Sequence, residues 1–257
     1  MVTTIWEPCT AGSGNNDRTG DQNSGNKMEI TILLPCLNEE KTVAVCVRQA
    51  AAFLFEKGLD GEVLVSDNGS TDESISLAEA AGARVVHCAQ QGYGNALRFG
   101  IREAVGKYVI LGDCDCSYHF DEIQPFLDEL RKGADLVVGN RFALPMEQGA
   151  MSLSHRSFGV PILSFLGRRF LKSDVRDFHC GLRAVNRESY LQLNCRYGGM
   201  EFATEMIGRA SLTGQKIKQV PVKLYRDGRG CPSHLRSIRD GIRHMLVIFT
   251  KCRIRSF

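Results

Sequence analysis

Two aspartates stand two residues apart in the segment GDCDC, Asp113 and Asp115 with Cys114 between them, where the apolar run YVIL gives out. Carboxylates leaving a strand end at that spacing aim at one volume. Their hard oxygens suit Mg²⁺ or Mn²⁺ bridging a diphosphate, although such a pair also caps a following helix. A second acidic strand end is Asp67, which closes EVLVSD and opens the polar turn NGSTDES. Turn and capping chemistry accounts for part of that segment. It does not require Asp67, which is left to accept hydrogen bonds from a base or ribose. PCLNEE, at 35 to 40, offers the same choice, Asn38 starting a helix or Glu39 reaching a nucleotide. In QGYGNALRFG, Gly94 lies in a glycine-rich joint that is either a tight turn or a phosphate or ribose seat at a helix N-terminus. It matches neither the P-loop nor the G-x-G-x-x-G pattern, so a kinase or dehydrogenase lacks its motif.

These residues need a scaffold that brings strand ends together. From Met28 onward, β-rich apolar runs alternate with helical patterns: EITILLP, a helix near 39 to 57, EVLVSD, a helix near 72 to 81, ARVVHC, a helix near 94 to 105, YVILGD, a helix near 121 to 132, and DLVVGN at 135 to 140. Five strands alternating with four helices predict a Rossmann-like, doubly wound α/β fold with a mostly parallel sheet. Ligands of such sheets bind beyond the carboxyl ends of the strands, so Asp67 and Asp113 belong to one cleft. Past residue 140 the pattern loosens to an amphipathic helix around 156 to 171, the segment DFHCGLRA, a helix around 201 to 212, and the strand IKQVPVKLY.

The 257 residues, 43% hydrophobic and 24% charged, suit one large domain over 28–257. Residues 1–27, rich in Gly, Asn, Asp and Ser without periodicity, read as a disordered leader. The first residues lack the basic start and apolar run of a signal peptide, and the ten cysteines form no C-x-x-C pair, so they read as reduced, semi-buried thiols in a cytoplasmic protein. No run reaches the roughly 18 apolar residues that span a bilayer. FGVPILSFLG and MLVIF are long enough to rest on one. The net charge of +3 is unevenly placed: from Arg226 onward eight Lys or Arg face only Asp227 and Asp240. Arg236, Arg239 and Arg243 share one face of a helix expected to begin near Ser233.

In their order and spacing, PCLNEE, SDNGSTD, GYGNALRFG, the Asp-Cys-Asp motif, VVGNR and YRDGRGCPSHLRS resemble family 2 glycosyltransferases of the dolichyl- or polyprenyl-phosphate sugar synthase group, from about Met28 to Met245. The resemblance implies a glycosyltransferase A-type fold and an inverting, metal-dependent hexosyltransferase. It also implies that 28–141 binds a GDP- or UDP-hexose and that 142–257 takes the acceptor and ends in a basic amphipathic helix. Pro35, Leu37, Asn38, Glu39, Asp67, Asn68 and Gly94 would then contact the nucleotide sugar. Asp113, Cys114 and Asp115 would meet the diphosphate, the two aspartates through Mg²⁺ or Mn²⁺, and Arg141, Arg226 and Arg229 would hold phosphate.

The expected partners are the donor, a polyprenyl phosphate and the cytoplasmic face of a membrane; no nucleic acid is expected, and the oligomeric state stays open. A phosphate acceptor, nearly doubly charged at neutral pH, needs cations more than a base. A hydroxyl acceptor, the soluble alternative, needs a base, for which Glu205, Glu201 and Asp177 are the candidates, with His155, Arg156 and His179 nearby in role. A non-catalytic nucleotide-sugar-binding module is the third reading, and the retained aspartates speak against it. The chain departs from the group at Cys36, where relatives usually carry an aromatic residue. It departs again at Gly230 and Cys231, where they usually have a serine and a basic residue, and in ending at Phe257 where many continue into membrane helices.

Overall fold

Strands form where runs of Ile, Leu and Val are apolar on both faces, as a central parallel strand must be. Ile30, Ile32, Leu33 and Leu34 of β1 (Ile30–Cys36) and Val109 and Ile110 of β4 (Tyr108–Leu111) are fully buried. The computed structural model describes residues 28–230 and 237–250; the leader expected over 1–27 lies outside them. The other strands are β2 (Gly61–Asp67), β3 (Arg84–His87), β5 (Leu136–Asn140), β6 (Arg183–Asn186) and β7 (Ile217–Pro221). The helices are α1 (Val43–Glu56), α2 (Ser74–Ala80), α3 (Tyr93–Glu103), α4 (Gln124–Arg131), α5 (Val160–Leu171), α6 (Arg187–Leu193), α7 (Phe202–Leu212) and α8 (Ser237–Phe249).

The seven strands make one sheet in the order β3-β2-β1-β4-β6-β5-β7. From β1 the chain winds outward through β2 and β3, then returns to lay β4 on the other side of β1. That reversal is the topological switch point, and it opens a crevice between the carboxyl ends of β1 and β4. The register sets Cys36 against Asp67, so β1 and β2 end level.

The mostly parallel, doubly wound sheet agrees with the sequence pattern except at β6. This strand runs antiparallel to both β4 and β5 and separates them. Four residues, Arg-Ala-Val-Asn, carry no alternation and open on a charge, so periodicity passes over them. What holds them is Arg183, 3% exposed. Its Nε donates to the carbonyl of Cys180 at 2.8 Å, Nη1 to Ala203 at 2.7 Å and Nη2 to Phe178 at 2.7 Å. The fork thereby staples the loop before β6 to α7. α6 follows at once, its N-terminus capped by Asn186, whose side chain accepts from the amides of Glu188 and Ser189.

The first helix begins at Val43, not at residue 39: residues 40–42 form a turn, and Thr42, with φ −123°, stands outside helical geometry. The helix expected from 156 opens with a π-turn, His155–Gly159, before α5. The C-terminal helix begins at Ser237 within the described residues; Ser233 and Arg236 lie outside them. α8 buries Asp240, His244, Val247 and Ile248. His244 Nδ1 lies 2.7 Å from Thr204 Oγ1 of α7, and its ring meets that of His179 edge-on with centroids 4.5 Å apart.

Replacing Arg183 by Met strands two buried carbonyls, of Phe178 and Cys180, each worth about 1–3 kcal/mol unsatisfied, and removes the tie to Ala203. Urea denaturation of Arg183→Met should show a loss of at least about 2 kcal/mol, and Lys, with no planar fork, should not rescue it. Burial also pushes His244 down to about 4 from an ordinary 6.5. The unfolded chain then binds the extra proton between those values, so stability is complete above pH 6.5 and falls as pH drops toward 4, by about 3 kcal/mol for this group. His179, depressed by burial and by His244, adds to the same fall. Denaturation midpoints measured from pH 7.5 to 4.5 should show that decline, and His244→Asn should flatten it.

Candidate active site

The crevice at the ends of β1, β2 and β4 collects most of the acidic residues singled out from the sequence. Asp113 lies two residues beyond β4. Its Oδ1 accepts from Tyr93 Oη at the N-terminus of α3, 2.8 Å away. The other face of the carboxylate rests against Gly181: a Cβ there would overlap Asp113 Oδ2, so only glycine allows the approach. Gly181 is positioned in turn by Tyr118, whose hydroxyl accepts from its amide at 3.1 Å. Burial and the charge of Asp115 raise Asp113 to about 6. Burial and the Asp113 charge likewise keep the Tyr93 hydroxyl protonated.

Asp115, 9% exposed, accepts from Ser117 N at 2.9 Å through Oδ1 and faces Arg229 through Oδ2 at 3.2 Å. Arg229 is shared. Nη1 lies 3.2 Å from Glu39 Oε1, and Nε and Nη2 bind Asp227, with Nε 3.0 Å from Oδ1. One guanidinium thus joins three carboxylates from three loops. The loop after β7 is held on the Asp115 loop by backbone as well, Gly228 N donating to Asp115 O at 2.8 Å and Tyr225 N to Ser117 O at 3.0 Å. The rings of Tyr225 and His119 stack 3.6 Å apart. Burial raises Glu39 to about 7 despite Arg229.

Asp67 ends β2, 3% exposed. Burial works against its charge, but the amides of Ser70 at 3.0 Å and Gly69 at 3.1 Å, with His87 Nδ1 at 3.4 Å, hold it below the usual carboxylate range. Pro35 and Leu37 are half-buried at the end of β1, and Cys36 beneath them is buried. Asn38 links the loops after β1 and β2, its Oδ1 accepting from Thr71 N at 2.8 Å and its amide donating to Ser70 Oγ at 3.0 Å. Asn68, 4% exposed, clamps the loop after β3: its side chain donates to Gln90 O at 2.8 Å and accepts from Gly92 N at 2.6 Å.

Four expectations meet a different environment. Gly94 faces protein, since a Cβ there would come within 2.6 Å of Phe202 Cβ and 2.7 Å of Tyr197 O, and it serves close packing rather than a phosphate seat. Glu205, fully buried, spends its carboxylate on the amides of Arg196 and Tyr197 and on Arg209 Nε at 2.8 Å, so it anchors a loop and is closed to substrate. Arg141, 8% exposed, is bound in bidentate fashion by Asp177 at 2.7 and 2.8 Å. It contributes fixed positive charge behind the cleft, and its fork is already occupied. Cys114 is buried at 2% exposure and presents no side chain to the crevice. Arg226 is exposed, with its amide on Glu147 Oε2 at 2.8 Å.

The sequence reading missed Tyr93, Gly181 and Asp227. Tyr93 lies inside the glycine-rich joint it had singled out, and a hydroxyl among glycines was the available signal. Sulfur gathers behind the crevice: Cys46 Sγ and Cys116 Sγ are 3.6 Å apart, and the cysteines within the described residues are free thiols.

Residues 31–193 match the family model of glycosyl transferase family 2. Over 213 residues the chain is 35% identical to glycosyltransferase AglJ of Haloferax volcanii, covering 82% of this chain and 68% of that relative. Over 218 residues it is 34% identical to the low-salt glycan biosynthesis hexosyltransferase Agl6 of the same organism; this spans 84% of the chain but only about half (52%) of the relative. A dolichyl-phosphate hexose transferase of that organism is 26% identical over 206 residues, 79% of this chain and 85% of the relative. Glucosyl-3-phosphoglycerate synthase from Mycobacterium tuberculosis shares the fold, with a TM-score of 0.66 at 24% identity over 90% of this chain and 82% of that one.

Proposed function

The chain belongs to glycosyl transferase family 2, and on that premise we propose that it moves a hexose, with inversion, from GDP- or UDP-hexose to a polyprenyl phosphate at the cytoplasmic face of a membrane, assisted by Mg²⁺ or Mn²⁺. The observation that carries this reading is the Asp113–Asp115 pair at the switch point, braced by Tyr93 on one side and faced by Arg229 on the other.

Among the described residues no group of three or more His, Cys, Asp or Glu side chains is set to hold a metal ion alone. Two carboxylates that repel each other fit a hard divalent cation whose remaining ligands come from a diphosphate, the usual way such ions enter phosphate sites. When bound, the ion neutralises charge that develops on the leaving diphosphate. Structures of glucosyl-3-phosphoglycerate synthase with Mn²⁺ and UDP-glucose support that choice of donor and ion. The protein's own part is positional. Tyr93 and Gly181 fix the Asp113 carboxylate, Asp67 and Glu39 offer acceptors to ribose and base, and Arg229 exchanges its carboxylates for phosphate oxygens, to which its fork is matched.

The phosphate acceptor is supported by the state of the candidate bases. Asp177 is committed to Arg141 and Glu205 to backbone amides. Glu201 alone among the three keeps a carboxylate oxygen without a hydrogen bond, with Arg243 3.9 Å away. One relative leans the same way, being named for a dolichyl phosphate. A hydroxyl acceptor would rest on Glu201.

A donor screen with Mn²⁺ and a short polyprenyl phosphate, read by product mass, should yield a hexosyl phospholipid. Asp113→Ala and Asp115→Ala should each remove transfer while leaving the thermal midpoint within a few degrees; near-normal turnover at saturating metal would contradict the role given to the pair. Tyr93→Phe should weaken Mn²⁺ binding in the presence of UDP by about 10–100-fold, measured directly by paramagnetic resonance as well as by activation. Glu201→Gln should leave transfer to polyprenyl phosphate within about threefold of wild type. A loss of about 10² or more would mark it as a general base and move the acceptor to a hydroxyl.

A further inference from the structure

An amphipathic surface helix ordinarily turns its apolar stripe to the core. α8 buries one stripe and exposes another: Ile238, Ile242, Met245, Leu246 and Phe249, spaced by four, three, one and three residues, are 38–82% exposed, opposite His244 and Val247. α5 and the π-turn before it do the same, with Phe158 at 66%, Ile162 at 53% and Phe165 at 58%. The two helices touch where half-buried Phe170 of α5 meets Phe249 of α8 edge-on, ring centroids 5.0 Å apart. Large apolar side chains adjoining over two packed helices mark a contact surface rather than scattered exposure.

The charges beside the stripes identify the partner. Arg168, Arg169 and Lys172 crowd the end of α5, Arg156 stands at its start, and Arg239 and Arg243 flank the stripe on α8. Across 153–172 and 238–249 the one acidic residue is Asp240, 6% exposed. An apolar face with a basic rim and no exposed acid complements an anionic bilayer. A second copy would bring like charges together. The arginines sit at the flank, where long side chains reach headgroups while the apolar residues enter the acyl boundary. Arg239 and Arg243, expected to share one helix face, border the contact.

We propose that the outward face of α5 and α8 docks the protein on an anionic lipid surface. The proposal supplies a location for the lipid acceptor and rests on that reading for its biological sense, though not for its geometry. His244, on the inner face of the same helix, packs on His179, two residues before the Gly181 that supports Asp113. A lipid headgroup at the α8 surface is thus one helix thickness from the loop beneath the paired aspartates.

The test is co-sedimentation with phosphatidylcholine vesicles, with and without phosphatidylglycerol. Wild type should bind the anionic vesicles and release with salt. The Phe158→Glu/Phe165→Glu/Leu246→Glu variant should bind about 10²-fold more weakly or worse. Its transfer to a short, water-soluble polyprenyl phosphate without vesicles should be unchanged, and its thermal midpoint should match wild type; Phe158→Ser/Leu246→Ser serves if the triple variant does not fold. Wild type that ignores anionic vesicles, binds neutral ones equally, or forms a dimer that these substitutions dissociate would overturn the proposal. Vesicle binding by wild type without transfer to any polyprenyl phosphate would leave the docking face standing and remove the acceptor reading instead.

Discussion

Two carboxylates, one chain turn apart and withdrawn from water, repel each other, and the organisation of the crevice follows from keeping them there. Burial and mutual repulsion raise Asp113 to about 6. The offsets are distributed over the fold: a hydroxyl from α3, a glycine before β6 that lets the carboxylate close in, and a guanidinium from the loop after β7. Each comes from a different part of the chain, so the pair can form only when the switch point between β1 and β4 is closed from both sides. β6 takes on meaning in that light. An antiparallel strand wedged between β4 and β5 delivers Gly181 to Asp113, and Arg183 fixes the approach by holding the loop from behind.

The strands around the crevice were legible because burial on both faces leaves continuous apolar runs, and the strand-end aspartates were legible because open α/β sheets place ligands at those ends. Arg229 reaches both Glu39 and Asp115, a meeting across loops that no single motif shows. What could not be read was the direction a polar side chain turns. Glu205 has the type and neighbourhood of a base, yet the amides of residues 196 and 197 claim it, and nothing in a linear sequence shows that their helix-free backbone needs an acceptor there. Arg141 looked open for phosphate and is instead closed by Asp177, 36 residues away. Tyr93 and Gly181 act on Asp113 from 20 and 68 residues away, so their role belongs to tertiary contact rather than to any motif. β6 escaped because four residues opening on a buried arginine match neither period.

The crevice and the outer face of α5 and α8 follow different logic. Around β1, β2 and β4, polar side chains satisfy one another across short loops, as where Asn38 and Asn68 bind the neighbouring turns. Around α5 and α8, apolar side chains are turned outward and left unsatisfied. His179, whose ring nitrogens have no hydrogen-bond partner among the described residues, lies between these regimes.

Arg229 has a consequence for ligand design. Three carboxylates from three loops share a cation that the protein carries itself. If the crevice takes a diphosphate as proposed, any molecule entering it is in an exchange reaction: its affinity is the difference between the ion pairs it makes and the ones it dissolves. A donor mimic with a neutral linker in place of the diphosphate would have nothing to offer the displaced guanidinium, and would bind a crevice still latched by it. A mimic that keeps one anionic group could recruit Arg229 without needing a metal, and selectivity among related enzymes would then turn on how firmly each one's own arginine is held.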